Sequence, residues 1–332
     1  MQCVIKRFSL CVICCLVVCI LPSLAFCSEL TPSSQESCRS SDFPAAYAKL
    51  SEVSPLALSA AWPSERWLEV RCMIDSLDSI AQAEALRWDY VTLRENPYPL
   101  SGYKLALASP RAQALFGLDA PVLGAFFSDT LLPNNSEVSL SAAENIAYEP
   151  DFLVRVGSED INRATTVAQL APHIDSVAAF LELPDLLFPA APASGLAFIA
   201  SNAAVRYGVV GDWLEARDDA DFLAMLADME VVVSDASGRV LSRAKGRALM
   251  GHPYHALLAL LEQLRQQSRW LRVGDVVSLG AFAPPRPVGD LRQLRVDYHG
   301  LVDHNGGRAK EKGDNKSSSQ SLSVAVRFIA AE

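Results

Sequence analysis

The chain has 332 residues, 50% hydrophobic and 20% charged, which is enough apolar content for one large domain or two small ones and excludes disorder of the whole chain. Its 29 basic and 38 acidic residues leave a formal net charge of −9, and no Lys/Arg stripe interleaves with aromatics, so a nucleic-acid-binding role has no support. A small anionic ligand would need a local positive site.

The first 27 residues place Lys6 and Arg7 before an apolar run from Leu10 to Leu21, the build of a secretory signal peptide. The run is short for a full membrane span, so no stable span is expected once the leader is removed. Soluble export to the periplasm or medium is favoured over a lipid anchor at Cys27, because bulky Phe26 precedes that cysteine. Six of the eight cysteines lie in the leader, leaving Cys38 and Cys72, whose simplest fate in an oxidising compartment is one disulfide.

Residues 28–100 read as a mostly helical region. In "SLDSIAQAEALRWDYVTL", Leu77, Ile80, Ala81, Ala85 and Trp88 fall at helical spacing. "SGYKLALAS" alternates as a strand, with Tyr103, Leu105 and Leu107 on one face and Lys104 on the other. A short helix or turn at "SPRAQALFGLDAP" and an apolar strand or loop carrying Asp129 follow. "PDFLVRVG" reads as a strand, "TTVAQLAPHIDSVAAFLELPD" as a helix entering a strand, and "GLAFIASNAAVRYGVVGDW" as a helix or loop before a strand. "MEVVVSDASGRVLSRAKG" is a hairpin. "GHPYHALLALLEQLRQQ" is the clearest helix, with Leu257, Leu261 and Leu264 on its apolar face and His252 as its expected cap. "GDVVSLGAF", "LRQLRVDYHGL" and "SLSVAVRFI" are β runs, the last two separated by a polar low-complexity insertion at 303–320. Periodicity alone supports α/β or α+β.

Glu149 and Asp151, in "EPD", sit at i and i+2, which on a strand puts both side chains on one face. Adjacent carboxylates repel each other, and a hard divalent cation relieves that cost. Taken alone, such a pair is more simply explained as a solvated acidic pair at a strand start. "GYKLALAS", "GLDAPVLGAFFSD", "EPD", "LELPD", "ASNAA", "MGHPYHALLALL" and "LRVGDVVSLGAF" decide between these readings. In order and approximate spacing they resemble the 2-keto-4-pentenoate hydratase and 4-oxalocrotonate decarboxylase group of the fumarylacetoacetate hydrolase superfamily, over roughly residues 75 to 330.

That resemblance implies an α+β fold, with an N-terminal helical region packed on a mixed catalytic β-roll spanning 101–330. It implies Mg²⁺ or Mn²⁺ held by Glu149, Asp151 and Glu182, with Asp151 standing where the family has a longer Glu. Lys104 and Asp129 match catalytic positions, and Lys104, Asn202 and Leu279 match substrate-binding ones. The implied reaction is enolisation of a small 2-keto acid on a metal, by a hydratase-like lyase that assembles as a homo-oligomer. Ser201 stands where the family often has Asp, and "LGA" at 279–281 replaces "TGS", removing hydroxyls near substrate. These departures, with export, leave a non-catalytic small-acid binding or sensing protein as the alternative; an acylpyruvate-type C–C hydrolase is another, although the His/Glu lid dyad of such hydrolases has no match here.

Overall fold

The computed structural model describes residues 77–143, 145–186, 194–301 and 321–330. The leader, Cys38, Cys72 and the 303–320 insertion lie outside the described residues. In chain order, helix α1 (Ile80–Arg94) leads to β1 (Leu100–Ala106), the short α2 (Pro110–Leu115), β2 (Val122–Phe127), β3 (Leu131–Pro133) and β4 (Glu137–Ser139). Then come β5 (Ala147–Val156), α3 (Val167–Leu170), β6 (Ile174–Leu183), α4 (Gly195–Ala200), β7 (Tyr207–Glu215) and α5 (Ala220–Asp228). The remainder is the hairpin β8 (Glu230–Asp235) and β9 (Val240–Lys245), helix α6 (Pro253–Gln266), β10 (Val276–Ser278), β11 (Arg286–Pro287), β12 (Gln293–His299) and β13 (Leu322–Ile329).

The strands form two sheets. One runs β2-β1-β10-β5-β6-β7-β3 with β11 added on β5, and the other runs β4-β13-β12-β8-β9. Most neighbours are antiparallel, while β1–β10, β3–β7 and β4–β13 are parallel, so the α+β class and mixed β-roll expected from the sequence are present.

Alternation decides which face is buried where. One face of the larger sheet sends Tyr103, Leu105, Phe152, Val154, Val177, Ala179 and Leu181 into the main core. There they meet Val231, Val233, Leu294, Val296, Val324 and Val326 of the smaller sheet and the Leu257–Leu264 stripe of α6. Fully burying each such aliphatic or aromatic side chain contributes about 1.5–3 kcal/mol.

The opposite face carries Lys104, Phe126, Asp151, Leu153, Phe180, Glu182 and Ser278, and the sheet curls around it. Phe126 on β2 and Phe180 on β6 are separated by three intervening strands, about 19 Å in a flat sheet at about 4.8 Å per strand. Their ring centroids are nonetheless 5.7 Å apart. Closure is completed after β2, where the chain turns at Ser128–Thr130 and β3 pairs with β7; Gly208 N–H donates to the Thr130 carbonyl at 2.8 Å.

Helix α1 forms where periodicity places it, but its buried face differs from the expected one. Ile80, Ala81 and Ala85 are exposed, and Ala83, Leu86, Arg87, Val91 and Arg94 are buried. The helix rotates this way because both arginines find partners inside. Arg87 donates to the Leu123 carbonyl and, at 2.6 Å, to Gln267 Oε1, and its guanidinium lies 4.5 Å from the Trp88 ring centroid. Arg94 pairs with Asp129 at 2.6 Å.

Tyr298 on β12 fastens the two sheets beneath the concave face. Its hydroxyl donates to the Asp151 carbonyl, lies 2.9 Å from the Phe180 carbonyl and accepts from Phe180 N–H at 3.4 Å. Tyr298→Phe should lower the unfolding free energy by about 1–3 kcal/mol, since buried carbonyls lose a donor; urea denaturation measures it, and an unchanged midpoint would show that the bridge carries no weight.

Candidate functional site

The acid pair on β5 and the acid of "LELPD" on β6 are brought together by register. Glu149 is directly opposite Glu182, and Asp151, two residues on, is opposite Phe180. All three carboxylates therefore share the concave face. Asp151 and Glu182 are fully buried and Glu149 is half-buried.

Lys104 reaches the same face from β1, separated from β6 by β10 and β5. The curl of the sheet lets its ammonium form an ion pair with Glu182. Its path is open because Gly124 stands opposite it on β2; a Cβ there would come 2.8 Å from Lys104 Cγ. Burial opposes the charge on Lys104, but Glu182, Glu149 and Asp151 outweigh it and raise the lysine pKa.

Burial has the opposite consequence for the acids. It is the largest cause lifting Glu149 to about 8, reinforced by Glu182 and Asp151 and opposed by Lys104. Burial and then the Glu182 charge lift Asp151 to about 7, against hydrogen bonds from Ser278 and Phe152 N–H. Glu182 is raised by burial and relieved in part by Lys104. Three carboxylates facing one ammonium leave two negative charges uncompensated when all are ionised.

This donor set fits a hard divalent cation in atom type and in charge. It is not drawn together as a ligand cage: among the described residues no group of three His, Cys, Asp or Glu side chains converges to hold an ion. Lys104 occupies Glu182 instead, so Glu182 must exchange the ammonium for a cation if all three acids are to ligate one.

Three other expected site residues are placed differently. Asp129 lies in the turn after β2, bound to Arg94, and the charges acting on Lys104 are those of the three acids. Asn202 is buried with its amide committed to one backbone position: Oδ1 accepts from Ala125 N–H at 2.8 Å and Nδ2 donates to the Ala125 carbonyl at 2.9 Å. It opens a run of left-handed residues, Asn202, Ala203 and Ala204, with φ of 57°, 54° and 60°, that this bond pair holds against the neighbouring strand. Leu279 points into the main core, while its N–H donates to the Phe152 carbonyl at 3.0 Å. Strand alternation puts its neighbour Ser278 on the concave face, where the Ser278 hydroxyl donates to Asp151 Oδ2 at 2.6 Å. Ser278 was not singled out by sequence; a lone hydroxyl in the otherwise apolar "VVSL" is the one mark it leaves there.

His252 caps α6 as expected: Nδ1 accepts from Tyr254 N–H at 3.0 Å, so the ring proton is on Nε2 and faces the Leu223 carbonyl at 3.0 Å. His255 is exposed and bonded to the Met250 carbonyl.

The raised acids fix the sign of a pH effect. A carboxyl whose folded pKa exceeds its unfolded value stabilises the fold below the unfolded pKa and loses that contribution as pH rises through the folded one. The metal-free protein should therefore lose thermal stability between pH 5 and pH 8, the interval leading to about 7 and about 8 for Asp151 and Glu149. Adding Mg²⁺ at pH 8 should restore it. Thermal melts across that range check both, and a midpoint that rises with pH without metal would contradict the assignment.

No protein-family model matches the chain. It is 26% identical over 205 residues to 2-keto-4-pentenoate hydratase 1 of Dechloromonas aromatica (strain RCB), spanning 61% of this chain and 76% of that protein. It is 28% identical over 205 residues to the TodF product hydratase of Pseudomonas putida F1, covering 61% and 75% respectively. With 4-oxalocrotonate decarboxylase of Pseudomonas putida it shares 20% identity over 224 residues, covering 67% of this chain and 83% of the relative. Among solved structures, 4-oxalocrotonate decarboxylase from Pseudomonas putida G7, complexed with magnesium and adipate, superposes with a TM-score of 0.66 at 19% identity, covering 87% of this chain and 98% of that one. The chain thus has the fold of 4-oxalocrotonate decarboxylase from Pseudomonas putida G7 and is similar in sequence to 2-keto-4-pentenoate hydratases and 4-oxalocrotonate decarboxylases.

Proposed function

We propose that this protein is an exported, metal-dependent lyase of the hydratase or decarboxylase kind that acts on a small 2-keto acid. The observation that carries the reading is the meeting of Glu149, Asp151, Glu182 and Lys104 on one buried concave face. Hydratases and decarboxylases among the sequence relatives support the reaction class. The decarboxylase complex with magnesium and adipate supports a divalent cation and a small acid as the bound species.

Glu149, Asp151 and Glu182 would hold Mg²⁺ or Mn²⁺. When bound, that ion supplies a Lewis acid that polarises the keto carbonyl and makes the enolate accessible. Lys104, released from Glu182, offers its ammonium to the substrate carboxylate or to charge developing on the keto oxygen. Proton transfer falls to Lys104 or to water, because Arg94 holds Asp129 and Ala125 holds the Asn202 amide. Curling of the larger sheet buries Lys104, Asp151 and Glu182, which strengthens each of these interactions.

Export rests on the leader, with Lys6 and Arg7 before the Leu10–Leu21 run. Among the described residues no helix is long and apolar enough to cross a membrane.

A second reading, a small-acid-binding protein without turnover, is favoured by the positions of Asp129, Asn202 and Leu279, which remove expected groups from the reacting face. A panel of enolisable 2-keto acids with Mg²⁺ separates the two. The enzyme reading predicts multiple turnovers that a chelator abolishes and that Glu149→Gln and Glu182→Gln each reduce to background. Saturable binding with no turnover on any member would establish the binding protein, and turnover unaffected by chelator would reject the metal role.

A further inference from the structure

Of the three acids, Asp151 is the most firmly held. Oδ1 accepts from Phe152 N–H at 2.6 Å, Oδ2 accepts from Ser278 Oγ at 2.6 Å, and the Asp151 carbonyl takes the Tyr298 hydroxyl. Glu182, by contrast, is engaged at its side chain by Lys104, and the Glu149 carboxyl has no hydrogen-bond partner among the described residues. A carboxylate presents about four lone-pair directions, so one hydrogen bond on each oxygen of Asp151 leaves one direction on each for a cation while fixing the rotamer.

Ser278 is put in place by the chain around it. It is the last residue of β10, the strand between β1 and β5, in register with Lys104 on one side and Leu153 on the other. Two residues on, Gly280 has φ of 103°, where a Cβ would come 3.0 Å from the Leu105 carbonyl oxygen. A fully buried hydroxyl among Val276, Val277 and Leu279 is costly unless it is bonded, and its one proton is directed at Asp151.

We propose that Ser278 is a positioning residue that presets Asp151 for a divalent cation, so that Glu149 and Glu182 rearrange on binding while Asp151 does not. The proposal rests on the metal reading above. It concerns the orientation of a ligand by a neighbouring donor, an effect whose removal typically weakens metal affinity about 10–100-fold.

The test is Mn²⁺ titration of the wild-type protein, Ser278→Ala and Ser278→Thr, followed by the electron paramagnetic resonance of free and bound Mn²⁺, with a metal-free thermal melt of each. Ser278→Ala should bind Mn²⁺ about 10–100-fold more weakly with an altered bound-ion spectrum. Its metal-free melt should stay close to wild type, and Ser278→Thr, which keeps the hydroxyl, should restore affinity and spectrum. An alanine variant that binds as tightly as wild type overturns the positioning role and leaves the metal reading intact. A threonine variant as weak as alanine, or a metal-free alanine melt that collapses, assigns the loss to packing and also overturns it. Wild-type protein that binds no Mn²⁺ overturns the metal reading and this proposal together.

Discussion

The buried ion pair between Lys104 and Glu182 is the contact on which the rest of the arrangement turns. It joins β1 to β6 across two intervening strands, which is feasible only because the sheet curls until its concave face closes. Deleting one partner of such a pair costs about 3–5 kcal/mol, because the other charge is left buried and alone. Curvature and charge are thus coupled: the sheet makes the pair, and the pair favours the curled sheet over a flatter one. Two further carboxylates on the same face have no cation of their own among the described residues, and burial first, then the neighbouring acids, raises their pKa values. A face with this charge is poor as structural filler and well suited to a divalent cation.

The support beneath that face is unequal, and the inequality has functional content. Asp151 is fixed by Ser278, by Phe152 N–H and, through its carbonyl, by Tyr298. The Glu149 carboxyl has no hydrogen-bond partner among the described residues, and Glu182 is shared with the Lys104 ammonium. As proposed ligands, one rigid acid and two adjustable ones would let the site bind a cation without being preassembled at full charge, which would cost far more in a buried setting. On the proposed metal reading, Lys104 would stay close enough to act on substrate once a cation takes its place at Glu182.

Much of this was legible in the sequence, and the failures have identifiable causes. Strand alternation placed Lys104 opposite Tyr103 and Leu105 and put Glu149 and Asp151 on one face, because a period of two leaves little freedom. Helix α6 and its His252 cap were equally plain. The buried face of α1 was misjudged because apolar spacing cannot anticipate that Arg87 and Arg94 will find a carbonyl, an amide, an aromatic ring and a carboxylate inside. Asn202 was expected to meet substrate, whereas its side chain pairs with the Ala125 backbone, a long-range contact with no local signature. Leu279 was expected at the site, but one residue along a strand reverses the face: Leu279 enters the core, and its neighbour Ser278 presents a hydroxyl to Asp151.

The most direct test of the account is a crystal structure of the full chain grown with Mn²⁺, with the ion located by its anomalous scattering. One ion per chain is expected in contact with Glu149, Asp151 and Glu182, with the Asp151 side chain unmoved and the Lys104 ammonium withdrawn from Glu182. An ion found elsewhere, or none, with Lys104 still bound to Glu182, would contradict it and leave the carboxylate face as a purely structural ion-pair network.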